Sequence, residues 1–68
     1  MPSWTPEEDR EFYRYVIRLP NTKYPVYTLC FTESIVARKL NLRFPGRGFT
    51  KNSVHSKIRR WPPKGFRL

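Results

Sequence analysis

The single histidine, His55, and the single cysteine, Cys30, are the residues of this 68-residue chain best suited to chemistry of their own. A histidine can act as a metal ligand or a general base. As a ligand it needs cysteine, histidine or carboxylate partners at helical spacing, and His55 has none. As a base it needs a nucleophile and an orienting acid, which the surrounding sequence lacks, and the chain is too short for a deep pocket. Cys30 has no second cysteine for a disulfide or a zinc site. It lies in an apolar run with Val26, Leu29 and Phe31, where the expectation is a small core residue. No enzyme reading, no metal and no cofactor survives.

What remains is charge. Ten lysines and arginines and no acidic residue lie between Ser34 and Leu68, while Glu7, Glu8, Asp9 and Glu11 cluster near the start, within a net charge of +9. Segregation of this kind gives a folded chain one strongly positive face. A polyanion fits such a face, because each cation placed on a phosphate releases condensed counterions. No stretch has the length of a membrane span, no signal-peptide pattern opens the chain, and no basic helix with a continuous bulky apolar face suits a membrane surface. The expectation is an intracellular protein with no membrane partner.

The elements that position these residues can be read from caps and apolar spacing. Thr5 suits an N-cap, Pro6 the first helical position, and Glu8 completes a capping box. Phe12, Val16 and Leu19, with Tyr15 beside them, recur at three- and four-residue steps, which predicts a helix from Pro6 to Arg18 ended by Pro20. Residues 20–31 hold two prolines among Tyr24, Val26, Tyr27, Leu29 and Phe31, which predicts an extended, packed connection with a short strand-like piece. Thr32 caps a second helix to about Asn41, with Ile35, Val36, Ala37 and Leu40 inward. Pro45-Gly46-Arg47-Gly48 breaks the pattern. Thr50 caps a third helix, 51–61, with Val54, Ile58 and Trp61 inward and Asn52, His55, Ser56 and Arg59 largely outward. Residues 62–68 form a basic tail. The predicted fold is a single all-α domain, a three-helix bundle held together by aromatic packing.

Three short helices with a turn before a basic third one describe a helix-turn-helix. Trp4-Thr5-Pro6-Glu7-Glu8-Asp9 followed by Phe12 and Val16, then Val36 to Leu40, then Pro45-Gly46-Arg47 and Thr50 to Ile58, resemble the Myb/SANT family over most of residues 3–61. Such repeats usually carry three spaced tryptophans. Here Ile58 stands at the third place, Phe31 or Ile35 at the second, and Trp61 lies one turn beyond the pattern. The links before helices 2 and 3 are longer than is typical.

The resemblance implies a double-stranded DNA-binding domain, nuclear, whose third helix enters the major groove. By position it assigns base contacts to His55, Ser56 and Arg59, with Asn52 as a further polar position. Arginine suits guanine, asparagine suits adenine, and serine or neutral histidine can meet either. Lys51, Lys57, Arg60 and Arg47 are then the phosphate contacts, with Lys64 and Arg67 of the tail. A module this small reads few base pairs, so useful specificity calls for a second domain, a protein partner or dimerisation. Two other readings stand beside it: a SANT-type protein-interaction module, which needs an acidic surface, and a non-specific nucleic-acid binder using exposed aromatics.

Overall fold

The computed structural model describes residues 3–20, 22–24 and 26–62. Three helices, α1 (Pro6–Tyr13), α2 (Glu33–Arg43) and α3 (Lys51–Arg59), enclose a small core, and a hairpin of β1 (Val16–Arg18) and β2 (Tyr27–Leu29) lies between α1 and α2. The chain is therefore not all helical. Each helix begins at a threonine. The hydroxyl of Thr5 accepts from the Glu8 amide at 3.2 Å, that of Thr32 from Ile35 at 3.3 Å, and that of Thr50 from Ser53 at 3.1 Å. The capping box at α1 is complete, with the Thr5 amide donating to Glu8 Oε1 at 2.9 Å.

The first helix stops at Tyr13, five residues short of the predicted end. Phe12 and Val16 are both buried, as helical spacing requires, but the intervening chain turns and re-enters as a strand. Tyr13, Tyr15, Val16 and Ile17 are aromatic or β-branched, types that lose side-chain freedom in a helix and pack well on a pleated sheet. Pairing settles the competition. Val16 lies opposite Leu29, Ile17 opposite Thr28 and Arg18 opposite Tyr27, antiparallel. The ladder extends past both strand ends, through Leu19 N–H to Val26 carbonyl and Cys30 N–H to Tyr15 carbonyl, each at 2.8 Å.

Strand alternation then redistributes side chains. Val16 is buried, and Tyr27 and Leu29 pack against the core, whereas Ile17, Leu19 and Val26 are exposed. Leu19 is thus not a core residue. Cys30 is exposed too, one step along the alternating chain from the inward-facing Leu29. In α2, Val36, Ala37 and Leu40 are buried, but Ile35 turns outward at 42% exposure.

The core comprises Phe12, Val16, Val36, Ala37, Leu40, Phe49, Val54 and Trp61. Aromatic rings run through it in contact: Phe49 on Trp4 at 5.0 Å between centroids, Trp4 on Phe12 at 5.3 Å, Phe12 on Trp61 at 5.3 Å and Trp61 on Tyr13 at 4.9 Å. These tilted and edge-on pairs supply what a chain this short cannot obtain from area alone. Helix α2 packs chiefly on α3, and β2 also touches α3.

Candidate functional site

Helix α3 is delivered by the loop from Phe44 to Thr50, and that loop is clamped rather than loose. The Asn41 side chain donates to the Phe49 carbonyl and accepts from the Phe49 amide, both at 2.8 Å. One side chain thereby satisfies both polar groups of a buried backbone unit. Gly46 and Gly48 take φ of +89° and +73°, left-handed values that allow the loop to reverse before Phe49 enters the core.

A buried ion pair fixes the same loop to α1. Arg47 Nε lies 2.5 Å from Glu8 Oε2, and Nη2 donates to Glu8 Oε1 at 2.9 Å and to the Ser3 carbonyl at 3.0 Å. Glu8 is only 2% exposed. Burial pushes its carboxyl up, but hydrogen bonds from Arg47 and Thr5 together with the guanidinium charge outweigh that and hold it below the ordinary value of 4.5. Arg47, expected on phosphate, is turned inward.

Lys57, also expected on phosphate, faces α1 as well. Its Nζ is 2.5 Å from Asp9 Oδ1 and 5.0 Å from the centre of the Trp4 ring. That carboxylate oxygen has no aligned hydrogen bond, so charge and the aromatic face hold the contact. Glu11 pairs with Arg14 at 3.5 Å.

The opposite side of α3 is open. Asn52, His55, Ser56 and Arg59 are all exposed. They stand at i, i+3, i+4 and i+7 and so form one stripe, while Val54 on the far face is fully buried. Lys51 precedes the stripe and Arg60 follows it, both exposed. Arg38 and Arg43 of α2 are exposed too. Lys64 and Arg67 lie outside the described residues. A shallow groove of about 760 Å³ runs beside the stripe, between β2, the start of α2 and α3, with Lys51, His55 and Arg59 along one wall.

One residue of this surface was missed by sequence reasoning. Glu33, the first residue of α2, approaches His55, with Glu33 Oε2 2.5 Å from Nδ1. The signal was present: Glu33 is the only carboxylate after Glu11. Its partner, 22 residues away, was not legible.

Among the described residues no three histidines, cysteines or carboxylates gather as a metal site, and no helix is long and apolar enough to cross a membrane. The chain matches no protein-family model, no curated protein and no solved structure.

Proposed function

We propose that this chain is a Myb/SANT-like helix-turn-helix domain that binds duplex DNA through α3 in the major groove, and that it works in the nucleus. The observation that carries the reading is the exposed stripe Asn52, His55, Ser56 and Arg59, bracketed by Lys51 and Arg60, on a chain of net charge +9. From residue 52 to residue 59 the helix rises ~10 Å, the span of about three base pairs. Phosphate contacts then rest on Lys51 and Arg60, since Arg47 and Lys57 are paired internally.

The helix starts support the same reading. Acids occupy the first turn of α1 (Glu7, Glu8, Asp9) and of α2 (Glu33), complementing the positive end of each helix dipole. The first turn of α3 has none and carries Lys51 instead. That end is therefore left for an external anion.

The protein-interaction alternative needs an accessible acidic face. Glu8, Asp9 and Glu11 are each paired with a cation, which leaves Glu7 as the exposed acid of that cluster with no ion pair among the described residues. Selection of bound sites from a random duplex pool, followed by titration at several salt concentrations, tests the proposal. An enriched motif and an affinity falling on the order of tenfold or more between about 50 and 200 mM salt are expected. No binding at low salt, or a flat salt response, overturns it.

A further inference from the structure

We propose that Glu33 is a positioning residue for the reading face: it fixes which nitrogen of His55 carries the proton and so which base edge His55 can meet. The proposal rests on the DNA-binding reading and deepens it. An ionised carboxylate only accepts hydrogen bonds, so the 2.5 Å contact between Glu33 Oε2 and His55 Nδ1 requires the proton on Nδ1. In the neutral ring, Nε2 then has a lone pair and no proton. It can accept from the amino group of adenine or cytosine in the major groove, and it cannot donate to the O6 or N7 of guanine. A histidine without the carboxylate is free to adopt the other tautomer and reverse that preference.

Placement favours this role over simple charge balance. The His55 side chain is 52% exposed and that of Glu33 26%, so the ring stays open to solvent while the carboxylate is the more buried of the two. Glu33 sits in the first turn of α2, where the helix dipole favours its charge. Lys51 and Arg59, one turn to either side of His55 on α3, line the same groove, and the carboxylate meets the imidazole between them in sequence. A negative group beside a phosphate-binding surface weakens binding unless it orders something there.

The chain holds one histidine, which makes the test direct. Long-range proton–nitrogen correlation spectra of the ¹⁵N-labelled, DNA-free protein report the tautomer of the neutral ring. The wild type is expected in the Nδ1–H form, Glu33→Ala in the Nε2–H form, and Glu33→Gln, whose amide can accept or donate, in a mixture. Site selection with the three proteins should show, in the wild type, a preference for adenine or cytosine over guanine at one position of one strand. On the order of tenfold discrimination there should be lost in Glu33→Ala, with Glu33→Gln between. Gln and Ala remove the same charge, so identical effects of the two, raising affinity for all sequences alike, assign Glu33 a purely electrostatic role and overturn the proposal. An Nε2–H ring in the wild type overturns it whatever the DNA result. The expected tautomer in a wild type that selects no duplex upholds the positioning of His55 and overturns the DNA reading instead.

Discussion

Glu8 and Arg47 meet at the junction of α1 with the loop before α3, and Glu33 and His55 meet across the start of α2 and the middle of α3. The closest contact is 2.5 Å in both. The first carboxylate is 2% exposed at its side chain, carries two hydrogen bonds from one guanidinium, and also closes the α1 capping box. The second is 26% exposed and meets a ring more than half open to solvent. Burial decides the difference. A desolvated charge that loses its partner is strongly destabilising, whereas an exposed pair can separate at little expense because water replaces the partner. The first pair is a fastening of the fold, and the second is free to serve what the surface does.

The largest effect should therefore come from Arg47→Ala, which strands a buried carboxylate and is expected to lower stability by about 3–5 kcal/mol. A domain of this size starts from roughly the low end of 5–15 kcal/mol, so urea denaturation followed by circular dichroism should find the variant unfolded or nearly so. The pair also sets an acid limit. The folded Glu8 carboxyl lies below its ordinary value, so its contribution is present above about pH 4.5 and is lost as the pH falls through the lowered value. Glu8→Gln should flatten that part of the stability profile. An Arg47→Ala protein as stable as its parent would erase the distinction between the two pairs.

Asn41→Ala comes next. It leaves the buried Phe49 amide and carbonyl without their partner and should lower stability by about 1–3 kcal/mol. The loss should appear as earlier thermal melting together with faster amide exchange over residues 44–50.

Two cations on one helix give the third test. Lys57 is tied to Asp9 and the Trp4 ring, so Lys57→Ala should lower stability by about 1–2 kcal/mol. Arg59 is exposed, so Arg59→Ala should leave melting unchanged and, on the DNA reading, weaken a preferred site by roughly 1–3 kcal/mol. Reversed outcomes would exchange the inner and outer faces of α3.

Much of this frame was readable in the chain, and what was not has a physical cause. The three threonine caps, the Thr5–Glu8 box and the inward Val36, Leu40 and Val54 follow from local spacing. The extended packed connection before α2 was also expected and is a hairpin. Its first strand was hidden because Phe12, Val16 and Leu19 satisfy helical periodicity by number while the residues among them favour a sheet. That error carried Leu19 to the wrong side. Cys30, assigned to the core from its apolar neighbours alone, is exposed just past the end of β2. Arg47 and Lys57 looked like free cations because their partners, Glu8 and Asp9, lie 39 and 48 residues away. Glu8 itself looked fully explained as a cap. Only the fold shows that it serves two structures at once.

The smallest effect is expected where the surface reading matters most. Glu33→Ala should lower stability by about 0.5–2 kcal/mol, from two sources that a double-mutant cycle can separate. One is the loss of an acid from the first turn of α2, worth about 0.3–1 kcal/mol. The other is the contact with His55, worth about 0.2–1 kcal/mol for an exposed pair. His55→Ala removes only the second, so the coupling energy from both single variants and the double variant isolates it. The same cycle on Glu8 and Arg47, run in a stabilising osmolyte that keeps the Arg47 variant folded, should give a coupling several times larger. If the two couplings prove equal, Glu33 and His55 are a second fastening of the fold, and their contact gives no reason to assign the ring to recognition.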